Sequence, residues 1–201
     1  MTQGTQGSAP GFVSTDAGPQ PPRSWRGGEG ACPRSAAVSV GYDIATEREL
    51  FLLELERLDQ LPAKLRLPTR HFACLLVLDG RGTHAAELHR CAANLLGQGA
   101  TYLSVWGPGC GRIRAMLDDA VLFSETDASE DSIVLTEDHE GAPLEDTLVE
   151  FLERSQPASR YLDSCRGALV VTVNAPGWAL ACREALSDPR GFVAGMALVQ
   201  D

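Results

Sequence analysis

The feature that most constrains this chain is a change of rhythm at Phe72. Downstream of it, short apolar runs alternate with longer segments of helical periodicity, four times over. Runs at 72–78, 101–105, 132–135 and 168–173 read as strands, and segments at 84–96, 111–122, 144–154 and 178–186 as helices. A last apolar run, 192–199, reads as a fifth strand. Alternation of this kind is the signature of βαβ units. Strands this apolar need cover on both faces. The pattern therefore predicts an α/β fold: a three-layer sandwich, flavodoxin- or Rossmann-like, with four to five mostly parallel strands, right-handed crossovers and the strand order 2-1-3-4-5.

Upstream of Phe72 the patterning is different. Residues 1–45 hold eight of the 20 glycines and five of the 12 prolines, and show neither helical nor strand periodicity. This composition predicts a disordered N-terminal segment, or a mis-called start, with 36–40 able to add an edge strand. Thr46-Glu47-Arg48-Glu49 fits a capping box, and Leu50, Phe51, Leu53, Leu55 and Leu58 supply an apolar face, so 46–61 reads as a helix. Pro62 and Pro68 then bracket a connector. The expected organisation is 1–45 disordered, 46–70 helix and connector, and 71–201 α/β domain.

Charge narrows the classes of partner. The 201 residues carry 27 acids against 17 bases, a formal charge of −10. Thirteen acids and no Lys or Arg lie between Asp118 and Glu153, so the excess belongs to one window. That balance argues against nucleic acid and against anionic membranes, and favours a basic protein partner or a small molecule. No run of about 18 apolar residues is present to span a bilayer. The first 30 residues lack the cationic and apolar regions of a secretory signal, which predicts a cytoplasmic protein. Six cysteines without a C-x-x-C pair fit reduced thiols better than a zinc site or a redox dithiol. Sixteen arginines against the single Lys64 suit a GC-rich bacterial genome.

Open parallel sheets bind ligands outside the carboxyl ends of their strands. The residues expected there are Asp79, Gly80, Arg81, Gly82 and Thr83 after the first run, Trp106, Gly107, Gly109 and Cys110 after the second, Thr136 to His139 after the third, and Asn174 to Trp178 after the fourth. Gly80, Gly82, Thr83, Trp106, Gly107, Gly109, Thr136 and Asn174 are candidates for ligand contact. Cys110 falls at a helix N-terminus, where amides and dipole favour a thiolate. His139 as base and Asp79 as its orienting carboxylate would complete a nucleophilic site. The glycines of both turns could cradle an anion, yet neither forms a dinucleotide fingerprint, and no Gly-Lys-Ser/Thr sequence occurs. Tight strand-to-helix turns need glycine in any case. Asp118 and Asp119 are adjacent on a helix and point apart, and Asp138, His139 and Glu140 are the other oxygen and nitrogen ligands weighed; no metal site is assigned.

Between Phe72 and Leu152, the turn Trp106-Gly107-x-x-Cys110, the pair Asp118-Asp119, the segment Thr136-x-x-His139-Glu140 and the helix start Leu144-Glu145-Asp146 resemble a small uncharacterised bacterial family of α/β domains. The resemblance covers about half the chain and implies domain boundaries and rim residues, with no activity attached. The function expected is a non-catalytic or regulatory ligand- or protein-binding module. The alternative is a cysteine-dependent hydrolase or transferase using Cys110, His139 and Asp79, and a third reading is a nucleotide-binding sensor. No cofactor is assigned.

Overall fold

A computed structural model describes residues 36–124 and 133–199. Six strands form one sheet: β1 (Val38–Asp43), β2 (Arg48–Leu55), β3 (His71–Val77), β4 (Ala100–Trp106), β5 (Leu135–Asp138) and β6 (Cys165–Val173). Their order is β1-β2-β6-β3-β4-β5. The β1–β2 pair is antiparallel and every other pair is parallel. The helices are α1 (Ala85–Gly97), α2 (Cys110–Ser124), α3 (Leu144–Arg154), α4 (Pro176–Ser187) and α5 (Pro189–Val199).

Alternation along the central strands sorts the core into two layers. Phe51, Leu53, Phe72, Cys74, Leu76, Leu103, Val105, Leu169 and Val171 pack with α1 and α2 on one face. Leu50, Leu52, Ala73, Leu75, Val77, Tyr102, Ala168 and Val170 pack with α3 and α4 on the other, joined by Phe192 and Val193 of α5. Successive strand residues point to opposite faces, so these runs are apolar throughout because both faces are covered.

Several expectations are corrected. The segment read as a helix at 46–61 is β2 and a short 3₁₀ turn, Leu58–Gln60. Leu50 and Leu52 fill one layer while Phe51, Leu53 and Leu55 fill the other, an arrangement no single helix face permits. The expected capping residue Thr46 instead closes the β1–β2 turn: Asp43 accepts from the backbone N–H of Ala45 (3.0 Å) and Thr46 (3.3 Å), and from the Thr46 hydroxyl at 2.5 Å. The run read as a fifth strand is α5, which starts on Asp188, whose Oδ1 accepts from Gly191 N–H at 3.1 Å, with Pro189 in the first turn. The sheet therefore has six strands, and it opens with a hairpin rather than a helix. Part of the segment expected to be disordered, 38–43, is the edge strand β1, whereas 1–35 lie outside the described residues. The third strand of the α/β repeat is displaced to Leu135–Asp138 from 132–135, and Ser132 lies outside the described residues.

Strand order is also corrected. β6 inserts between β2 and β3, with Leu50 opposite Ala168 and Cys74 opposite Leu169. The chain leaves β3 towards α1 on one face and leaves β6 towards α4 on the other. The point where neighbouring strands send their connections in opposite directions is thus the β6–β3 boundary, not the boundary between the first and third runs.

Candidate functional site

A cleft of about 550 Å³ opens at that boundary. The end of β2 contributes Glu56, Arg57 and Leu58, the end of β3 Leu78, Asp79, Gly82 and Thr83, and the end of β6 Val173, Asn174, Ala175, Gly177 and Trp178, with Glu87 on the first turn of α1. Parting connections leave a crevice between adjacent strand ends, and open α/β sheets place ligands there.

Asn174 has the left-handed backbone φ of +51°, a conformation its short amide side chain tolerates, and its N–H donates to Leu55 O at 2.8 Å. This bond ties the end of β6 to the end of β2 across the floor of the cleft. Asp79 accepts from Arg81 N–H at 3.1 Å and pairs with the Arg81 guanidinium at 2.5 Å. Those bonds hold the Asp79 carboxyl at about 2, below its ordinary value. Arg57 is paired likewise with Asp59. Trp178 stands at the start of α4 with its ring edge-to-face against Trp106, centroids 5.0 Å apart, and Trp106 Nε1–H donates to Ala142 O at 2.8 Å. Pro176 occupies the first turn of α4, and no side chain caps that helix end.

The two glycine-rich turns pack on each other instead of opening towards an anion. Gly80 N–H donates to Pro108 O at 2.8 Å, Thr83 N–H to Gly80 O at 3.3 Å, and Cys110 N–H to Gly107 O at 3.1 Å. The Arg112 guanidinium donates to Gly80 O at 3.0 Å. Gly107 has φ +122°, and a Cβ there would stand 2.1 Å from Leu78 O, so the close approach of the two turns requires glycine. Gly80, Gly107 and Gly109 therefore shape the wall, while Gly82 and Thr83 line the cleft itself.

The structure does not assemble Cys110, His139 and Asp79. The Cys110 side chain is fully buried in the layer of α1 and α2. The His139 ring lies on the opposite face: Nε2 is 2.7 Å from Ser104 Oγ, and Ser104 shares its side of β4 with Tyr102 of the α3 layer. His139 Nδ1 is 3.4 Å from Glu150 Oε2 of α3. Both ring nitrogens are thus engaged away from the thiol. Burial raises the Cys110 pKa, and Asp138 and Glu140 raise it further, the reverse of what a nucleophile needs. Asp79 is exposed and bound to Arg81, on the wall of the cleft.

Thr136 lies within β5, not after it, and its hydroxyl donates to Asp118. Arg114 bridges Asp118 (3.8 Å) and Asp138 (3.3 Å), so these two acids of the window lie at the β5 edge of the sheet, with β3 and β4 between them and the cleft. Among the described residues, no group of three or more His, Cys, Asp or Glu side chains is placed to hold a metal ion. No described helix is long and apolar enough to cross a membrane. His71 sits at the amino end of β3, bound to Ser164 Oγ at 2.7 Å. A shallower hollow of about 340 Å³ at that end has Glu47 and Arg166 paired at 2.6 Å on its rim.

Sequence reasoning missed Glu56, Arg57 and Leu58, because the strand that delivers them was read as a helix, and it missed Glu87. The alternation of β2 between two core layers is the signal that would have placed them. It also missed the Ser104–His139–Glu150 cluster, since Ser104 is a polar residue inside an apolar strand.

No curated protein and no solved structure matches this chain. A family model described as "Domain of unknown function (DUF7684)" matches residues 50–188, about 70% of the chain. That span runs from β2 to the end of α4 and contains every residue lining the cleft. The chain belongs to the DUF7684 family, an uncharacterised family of domains, and the W-G-x-x-C turn and T-x-x-H-E segment lie inside the matched span.

Proposed function

We propose that this protein is a small-ligand-binding module of regulatory rather than catalytic type, built on a doubly wound, Rossmann-like sheet. One observation carries the reading. A cleft of about 550 Å³, a size suited to a small molecule, sits where the crossover connections part between β6 and β3. Its lining combines apolar side chains with a few polar groups on separate strand ends, the composition that orients a ligand.

Catalysis by Cys110 is not supported by a thiol that is buried, raised in pKa and on the other face of the sheet from the imidazole. Phosphate recognition by the first glycine turn is not supported either, because the amides of Gly80, Arg81 and Thr83 already have acceptors. That lowers the nucleotide-sensor reading. A basic partner at the β5 edge meets carboxylates that Arg114 already serves in part.

The test is a fragment screen by protein-observed NMR on the full chain, followed by thermal denaturation with each hit. Binding in the cleft shifts the signals of Asn174, Asp79 and the Trp178 indole together, and raises Tm as free ligand exceeds Kd. A screen whose hits cluster elsewhere, or that yields none, overturns the reading.

A further inference from the structure

We propose that the cleft selects neutral planar molecules whose edge sets a carbonyl acceptor beside an N–H donor, as a carboxamide or a lactam does. This inference rests on the ligand-binding reading above and adds the class of ligand. Its first support is Asn174. That residue is exposed and lines the cleft, and among the described residues its side-chain amide makes no hydrogen bond to the protein. Its backbone is nevertheless fixed, by the φ of +51° and by the bond from its N–H to Leu55 O. A side-chain amide offers an acceptor oxygen and donor hydrogens side by side, so its complement is a group that returns a donor and an acceptor at the same spacing.

The second support is Trp178. Its ring lines the cleft and meets Trp106 edge-to-face, with centroids 5.0 Å apart. A neighbour in that arrangement covers at most one face of an indole, which leaves the other for a stacked planar ring. Leu58, Leu78 and Val173 add apolar wall. Charge around the cleft favours neither sign. Arg57 is paired with Asp59 and Arg81 with Asp79, and Glu56 is engaged as well. Glu87 stands in the first turn of α1, where the amino end of the helix offsets its charge. The amino end of α4, which no side chain caps, meets the same cleft with the opposite sign to Glu87.

The donor–acceptor edge can hang from a ring, as in a carboxamide, or belong to it, as in a lactam. The experiment therefore has two arms. In the first, benzamide, acetophenone, benzoate and benzamidine, close in shape and differing in donors and charge, are titrated into the full chain, with the amide signals of Gly82 and Gly177 as readout. Benzamide is expected to bind about threefold or more tightly than acetophenone, which lacks the donor, and more tightly than either charged compound. Asn174→Gly, which keeps the left-handed backbone accessible, is expected to lower benzamide to the affinity of acetophenone and to leave acetophenone unchanged. Trp178→Leu is expected to weaken both by about threefold or more while preserving their ratio. Asn174→Gly alone decides the assignment should Trp178→Leu disturb the contact with Trp106.

In the second arm, 2-pyridone replaces benzamide; tighter binding than benzamide assigns the edge to a ring lactam, and weaker binding to a pendant carboxamide, both within the proposed class. Equal affinity for benzamide and acetophenone, tighter binding of benzoate or benzamidine, or a preference that survives Asn174→Gly overturns the assignment. If other fragments occupy the cleft while benzamide and 2-pyridone do not, the assignment falls and the ligand-binding reading stands. If nothing occupies the cleft, both fall.

Discussion

Replacing Gly107 by alanine separates two effects that a glycine-rich turn combines. Gly107 has φ +122°, outside the ranges that L residues adopt readily, which contributes about 1–3 kcal/mol of strain. The added Cβ would also stand 2.1 Å from Leu78 O, so the end of β3 must retreat by about 1 Å in a close-packed region. Overpacking of that kind adds about 1–3 kcal/mol. The expected loss is about 3 kcal/mol or more. Gly109 has φ +76° and its nearest neighbours to a new Cβ lie at 3.6 Å, so alanine there meets the torsional strain alone, about 1–2 kcal/mol. Gly82 has an ordinary backbone and nothing within 4 Å, and alanine there should be neutral or stabilise by up to about 1 kcal/mol. Urea unfolding of the three variants, with m near 2 kcal/mol/M, converts the first loss into a fall in Cm of about 1.5 M. Because Leu78 lies on the cleft wall, Gly107→Ala should shift the NMR signals of Asp79 and Asn174 as well. Equal losses for Gly107→Ala and Gly109→Ala would refute the argument that the close approach of the two turns depends on the missing side chain at Gly107.

The Asp79 carboxyl should titrate at about 2, and Arg81→Ala should return it towards 3.8, as followed by carboxyl NMR. With the folded value depressed, the contribution of this pair to stability is complete above about pH 4 and fades as pH falls towards 2. The native protein should resist iodoacetamide at pH 8 at all five described cysteines, since burial raises every thiol, with Cys91 and Cys182 at about 12; rapid labelling of Cys110 below pH 7, read by mass spectrometry, would contradict its burial. His139→Ala leaves the fully buried Ser104 hydroxyl without its partner and should destabilise by about 2–3 kcal/mol in urea. The double variant with Ser104→Ala should lose less than the sum of the two single changes, because the two residues share one interaction.

Much of the α/β repeat was legible. The apolar runs of β3, β4 and β6 and the helices α1 to α4 follow from periodicity and flanking glycines, within a few residues at their ends. β2 was misread because Leu50 to Leu55 is continuous enough to satisfy a helical face, and Thr46 and Glu49 imitate a cap; only the presence of two core layers distinguishes the cases. α5 was misread because Phe192 to Val199 is apolar, although Asp188-Pro189 is a helix start. Strand order was not legible, since β6 reaches its place through a long connection that leaves no local pattern. For the site, the rule about strand ends found Asp79, Gly82, Thr83 and Asn174. It could not say that Cys110 and His139 face opposite sides, because that depends on how α2 and α3 distribute around β4.

The central position of β6 has a consequence in time. As the polypeptide is made, β2 and β3 emerge long before Cys165–Val173, and neither can complete its pairing until that strand arrives. Contacts between Leu50 and Ala168 join distant parts of the chain, a topology that slows folding. Leu55 and Leu78 stand ready on two sides of a gap that only Asn174 and its neighbours close. On the ligand-binding reading proposed above, binding competence should therefore appear only after that strand is in place, and a product truncated before it would be ligand-blind.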